Sequence, residues 1–154
     1  MRSKRLNIAS SEDGNSLVEL AFFLPFLLVV LMGVVDFGRA YYLAIEVAGA
    51  AHAGAVYGAQ NITDTAGMVK AAKLNSPDVS GLTATSSWGC ECSDGTSPSA
   101  SCTMTPTCSV NVVYYAKVTT SVLYNPIIMP FQGITSPISP MTLTGSTTMR
   151  SASE

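Results

Sequence analysis

The longest apolar stretch of the chain runs from Leu20 to Val35, sixteen residues without a charge. Begun at Leu17 and tolerating Glu19 it is nineteen residues, or about 28 Å of helix at 1.5 Å per residue. That is close to the hydrocarbon thickness of a bilayer, so the pattern predicts one membrane-spanning helix within Gly14–Val35. From Ala40 to Gln60 the helical pattern continues but turns to small residues. Ala44, Ala48, Ala51 and Ala55 recur at three- and four-residue spacing, and Gly54 and Gly58 form a small-xxx-small pair. Such a surface lets backbones approach closely. It suits a helix shared by bundled copies, a helix on which a head packs, or both. Glycine also lowers intrinsic helicity, so packing must hold this part of the helix.

Beyond it the periods shorten. Asp64–Leu74 reads as a short amphipathic helix, with Ala66, Val69 and Ala72 on one side and Lys70 and Lys73 on another, ended by Asn75-Ser76-Pro77. Residues 82–88 suit a first strand. Val110–Val122 is the clearest one, because Val110, Val112, Tyr114, Ala116, Val118, Thr120 and Val122 alternate with mostly polar neighbours. A last strand is expected in Met141–Met149, with Met141, Leu143, Gly145 and Met149 on one face. Leu123–Pro140 holds four of the eight prolines and cannot be a central strand. It either covers the sheet or offers a docking patch. The expected fold is α+β: a leader over 1–14, a transmembrane and assembly helix over 15–60, and an extracytoplasmic antiparallel-sheet head over 61–154.

Charge sets the orientation. Only 12% of the residues are charged, against about 25% in soluble domains, and a net charge of −2 gives no reason to expect a nucleic-acid partner. Arg2, Lys4 and Arg5 precede the apolar run. By the positive-inside rule that end is cytoplasmic, and the chain after about residue 36 lies outside. A secretory signal fits poorly: the apolar core is too long, and the nearest small-x-small site, Ala51-His52-Ala53, is far downstream.

All four cysteines, Cys90, Cys92, Cys102 and Cys108, fall in a stretch rich in Ser, Thr, Gly and Pro. An even count in an exported segment favours disulfides. Cys90 and Cys92 are too close to pair comfortably, which leaves 90–102 with 92–108, or 90–108 with 92–102. Four thiolates could also hold zinc, although the spacing lacks paired C-x₂₋₄-C knuckles. A thiol oxidoreductase using Cys90 and Cys92 is a third reading. His52 stands among alanines without ligand spacing, and Asn61-Ile62-Thr63 matches a glycosylation sequon by coincidence. With no catalytic constellation, no metal site and no cofactor motif, the sequence points away from an enzyme.

The charges flanking the apolar run need partners of their own. A carboxylate inside a membrane helix costs about 2.5–3.5 kcal/mol at depth. Glu19 therefore either snorkels to the interface or is compensated. Pro25 removes one backbone donor and kinks the helix, which membrane helices tolerate. Asp36 and Arg39, three apart, can pair where the helix leaves the hydrocarbon. There they hold a neighbouring subunit or, with Tyr41 and Tyr42, simply mark the interface.

These residues carry a resemblance. Gly14-Asn15-Ser16-Leu17-Val18-Glu19 ahead of an apolar helix resembles a class III prepilin signal. The continuation LPFLLVVLMGVVDFGRAYY (24–42) and AGAAHAGAVYGA (48–59) is similar to the TadE-like family, minor pseudopilins of tight-adherence (Flp/Tad) pili. The likeness is dense over residues 14–60 and thin afterwards. It implies cleavage between Gly14 and Asn15 by a prepilin peptidase on the cytoplasmic face. The other implied partners are the major pilin, other minor pseudopilins, the inner-membrane assembly platform and membrane lipid. After cleavage Glu19 is the fifth residue, one turn from a new amine that titrates near 8 and is largely protonated at neutral pH. The two charges can neutralise each other within or between subunits. The alternative is an uncleaved single-pass anchor whose head binds an envelope or secretion-system component.

Overall fold

A computed structural model describes residues 13–99, 102, 108–127 and 140–151. Its first element, α1, runs unbroken over Asp13–Gln60, 48 residues with Pro25 inside, and is about 72 Å long. The helix has two halves. From Ser16 to Val35 no side chain is buried. From Asp36 onward a stripe faces inward, through half-buried Ala40 and Leu43 to buried Val47, Ala51, Ala55 and Gly58. Steps of three and four residues keep these positions on one face.

The second helix, α2, spans Thr65–Asn75, where the amphipathic pattern places it. Asp64 caps it by accepting from the Gly67 backbone N–H at 2.8 Å, and the Tyr57 hydroxyl donates to the other carboxylate oxygen at 2.7 Å. Those two hydrogen bonds, backbone first, hold the Asp64 carboxyl below its ordinary range against a smaller opposing desolvation. The inward face differs from the expected one. Met68 and Ala72 are buried, while Ala66 is exposed and Val69 half-buried. The reason lies on α1: a Cβ on Gly58 would stand 2.9 Å from Met68 Sδ and 2.6 Å from Ala116 Cβ. One on Gly54 would stand 2.9 Å from the Met68 carbonyl oxygen and 3.0 Å from Val118 Cγ1. The small-residue surface is thus occupied by the chain's own head. Ala44 and Ala48, in the same repeat, are exposed.

Three strands follow, β1 (Thr83–Cys92), β2 (Val112–Tyr124) and β3 (Met141–Arg150). They form one antiparallel sheet in the order β1-β2-β3. On β2 the expected alternation holds from Ala116 through Val118, Thr120 and Val122, all buried, and extends to Tyr124. Tyr114 is exposed. Leu123 and Tyr124, grouped by sequence with the proline-rich segment, therefore finish the strand; residues 128–139 lie outside the described residues. On β3 Gly145 is buried and Leu143 and Met149 are half-buried, while Met141 is exposed. A Cβ on Gly145 would stand 2.8 Å from the Val47 carbonyl oxygen and 2.9 Å from Ala48 Cα, so this glycine lets β3 close directly on α1.

β1 runs further than residues 82–88 and carries Cys90 and Cys92 into the sheet, opposite Tyr114 and Val112. The two cysteines are 0% and 2% exposed. The surrounding stretch is polar, but cysteine behaves as a small apolar group that can finish a strand. Cys90 bonds Cys102, and Cys92 bonds Cys108, which selects one of the two pairings open from sequence.

Three hydroxyl bonds tie sheet to helix and fix their relative direction. Ser151 donates to the Ala59 carbonyl at 3.1 Å, Thr120 to the Val47 carbonyl at 2.7 Å, and Tyr124 to the Asp36 carbonyl at 2.8 Å. β2 consequently runs antiparallel to α1. The β2–β3 end of the sheet lies beside Asp36, and the disulfide end lies at the far end of α1.

Two predictions follow from this packing. Gly58→Val should lower head stability by about 1–3 kcal/mol through overpacking, read as a lower midpoint in thermal unfolding of the detergent-solubilised chain. Gly38→Ala, with nothing within 4 Å of the new Cβ, should leave the midpoint unchanged or raise it. The pairing can be checked by cutting unreduced protein after Glu91, Asp94 and Met104, which separates all four cysteines. Mass spectrometry should then find Cys90 with Cys102 and Cys92 with Cys108; the crossed pairs would contradict the fold.

Candidate functional site

Two regions of α1 concentrate the unusual chemistry: the bare apolar half, and the point where the head begins. In the first, the side chains from Leu17 to Val35 are open to their surroundings, with Phe22 68%, Leu27 61% and Val30 66% exposed. Nothing in the described head covers them, and the helix is long and apolar enough to cross a membrane. Gly14 and Asn15 fall in the first turn of α1. Glu19 is exposed on the same helix, and no described residue forms an ion pair with it.

The second region is built around Asp36. Its side chain is buried, with the residue 7% exposed, at the first position after the apolar run. A buried carboxylate is tolerable only when its oxygens are bonded. Here the Tyr124 hydroxyl donates to Asp36 Oδ1 at 2.5 Å, and the Ile127 backbone N–H donates to the same oxygen at 3.0 Å. Arg39 stands one turn on, its Nη1 3.9 Å from Asp36 Oδ1 and its guanidinium carbon 5.9 Å from the Tyr124 ring centre. The Arg39 side chain is half exposed.

Tyr124, only 3% exposed, is thus enclosed between a carboxylate and a guanidinium. Burial first, then the hydrogen bond to Asp36 and its charge, push the phenol above its ordinary range, against a smaller pull from Arg39. Asp36 and Arg39 do meet, as their spacing suggests, but the principal partners of Asp36 are on the head. Sequence reasoning missed Tyr124 and the Ile127 N–H. One signal was available: Tyr124 continues the inward register of β2, and a buried phenol needs an acceptor.

Elsewhere the chemistry is sparse. His52 is exposed, and among the described residues no group of three or more His, Cys, Asp or Glu is placed to hold a metal ion. The cysteines are all bridged.

The long exposed apolar helix, the small-residue stripe and the buried Asp36 all fall within one stretch. Residues 14–56 match the TadE-like protein family. No curated protein and no solved structure matches the chain. The TadE-like segment includes Gly14, Glu19, Pro25, Asp36 and Arg39, and ends within the part of α1 that carries the head. A TadE-like segment implies a protein associated with a tight-adherence pilus and anchored in a membrane.

The junction yields a titration test. Tyr124→Phe removes a donor to a charged acceptor and should cost about 1.5–3 kcal/mol. The loss should appear as faster hydrogen exchange at the β2–β3 end while the disulfide end stays protected. The folded-state phenol titrates above the unfolded value near 10, so its contribution is complete below pH 10 and disappears as pH rises through the folded value. Wild type should therefore lose stability in that alkaline range more steeply than Tyr124→Phe.

Proposed function

We infer that this chain is a minor pseudopilin of a tight-adherence pilus, a structural component that takes part in initiating, joining or capping the fibre. The reading rests on one observation above all. A single TadE-like helix carries an apolar half open on every side and a second half committed to its own head. A helix of that kind can sit in a bilayer first and among other pilin helices afterwards, because both surroundings accept the same side chains.

Prepilin peptidase cuts after Gly14, leaving Asn15 as the new amino terminus, and the basic residues 1–14 stay in the cytoplasm. Before assembly the protein is a single-pass protein of the bacterial inner membrane, with its head outside. Its partners are the major pilin, other minor pseudopilins and the inner-membrane platform. Glu19 then neutralises the new amine, on its own chain or a neighbour, in a low-dielectric setting where such a pair counts for far more than in water. The exposure of Glu19 beside a bare apolar helix supports that role, since its partner must come from outside the described head.

Gly14 and Glu19 act at separable steps, which gives the test. A peptidase reading the residue before the cut needs close approach to its backbone, and glycine offers no side chain to obstruct it. Replacing Gly14 by a bulky residue should leave the full-length precursor in the membrane. Glu19→Gln keeps size and hydrogen bonding but removes the charge; cleavage should proceed while incorporation into sheared pili falls. An immunoblot for leader loss beside a pilus assay reads both. Gly14 variants that mature to wild-type size would overturn the pseudopilin reading and leave an ordinary anchor.

A further inference from the structure

The direction of the head on α1 puts a particular set of side chains at the membrane surface. The apolar run ends at Val35, and Asp36, the next residue, is hydrogen-bonded to Tyr124 and to the Ile127 N–H. Those residues are therefore held at the level where the helix leaves the hydrocarbon. Met141 pairs with Tyr124 across the sheet, so it belongs to the same level. At this end Leu123 is 57% exposed, Ile127 41% and Met141 44%.

The helix presents matching groups. Phe37 and Tyr41 are 73% and 62% exposed, with their rings stacked at a centroid distance of 6.5 Å. Tyr41 lies five residues past Asp36, about 7.5 Å along the axis. That distance reaches the outer edge of the headgroup layer, roughly 5–7.5 Å deep on each side of a bilayer core. Aromatic rings and arginine at this depth are what an interface accepts. Among the described residues, the exposed positions of the far end are mostly polar, Ser93, Asp94, Gly95, Thr96, Ser97, Ser109 and Asn111, with Val110 and Tyr114 the exposed large apolar side chains there.

We propose that the β2–β3 end of the head is a membrane-contact surface, with Leu123, Ile127 and Met141 seated among the headgroups and upper acyl chains of the outer leaflet. The occupant is phospholipid, because this apolar rim is continuous with the spanning helix and is bonded to the residue at which that helix emerges. Arg39 and Asp78 line the adjoining cleft of about 250 Å³, on the side where polar headgroups lie, and Asp36 is already bonded to the head. The contact makes the head stand on the membrane in one orientation, with the disulfide end outermost. It extends the membrane reading of α1 and does not depend on pilus assembly.

The test uses the full chain in phospholipid bilayers, with brominated lipids as depth-resolved quenchers of tryptophan fluorescence. The native Trp88 pairs with Ala116, eight residues and about 26 Å of strand from Tyr124, so the unaltered protein should not be quenched. Ile127→Trp and Met141→Trp replace exposed side chains and keep the backbone donors; either one suffices if the other misfolds. Each new tryptophan should lose fluorescence, most strongly with bromines near the top of the acyl chain. Leu27→Trp should instead be quenched best by bromines deep in the chain.

If Leu27→Trp is quenched while both rim reporters are untouched in oxidised, folded protein, the head stands clear of the lipid and the proposal is overturned. If the rim reporters are shielded only at high protein density and ignore brominated lipid when dilute, a second copy covers the rim, and the lipid contact is equally refuted. If none of the three is quenched, the spanning reading itself fails and takes the proposal with it.

Discussion

Asp36 is where α1 stops being apolar on every side and begins to carry a head on one. Its carboxylate follows the apolar run but is kept from water; two donors from the end of β2 and the residues just after it take the place of solvent. This interaction fixes how high on the helix the head begins. Moving the tie by one helical turn would shift every later contact by about 5.4 Å, separating Thr120 from Val47 and Ser151 from Ala59. A hydrogen bond to a charged acceptor is directional and strong enough to set such a register. Apolar packing of small residues alone would not distinguish one turn from the next.

Above that point the helix trades intrinsic stability for proximity. Glycine in a helix interior costs about 1 kcal/mol relative to alanine, yet Gly54 and Gly58 stand where α2 and β2 press closest. The head repays this with a core drawn from α1, α2 and β2 together, Ala55, Met68, Ala72, Ala116 and Val118. Neither side of that core is complete without the other. The outer half of α1 is thus part of the head, whereas the inner half remains available to lipid or to other helices.

Period and length were enough to read the apolar helix, α2 and the two alternating strands from sequence, because each is a local property of its own residues. The cysteine pairing was halved to two possibilities by the closeness of Cys90 and Cys92, and only the register of β1 against β2 decides between them. Two features were illegible for a common reason. The inward turn of Met68 depends on glycines that are neighbours in space and not in sequence. The role of Asp36 depends on Tyr124, eighty-eight positions away. A charge at the end of an apolar run looks like an interface marker until its partner is known. The residues expected to act in processing, Gly14 and Asn15, and in assembly, Glu19, depend on an enzyme and on neighbouring subunits, so a single chain's fold does not bear on them.

The same polarity explains why the disulfides sit where they do. Gly58 lies against Ala116 near the end of α1, and β1 pairs Trp88 with that residue. Cys90 and Cys92 come next along the strand, from the level of Ala59 onward, where the helix ends at Gln60. From there outward, among the described residues, no helix covers the sheet face. Cross-links stabilise such a segment by restricting the unfolded chain, about 2–4 kcal/mol for each bridge, and need no helix beneath them. They persist only in an oxidising compartment, which agrees with the extracytoplasmic side proposed above for the head. The head is therefore held by three different means along its length, a charged hydrogen bond at the membrane, close packing in the middle and covalent bonds at the tip. Each is suited to the surroundings at its own height.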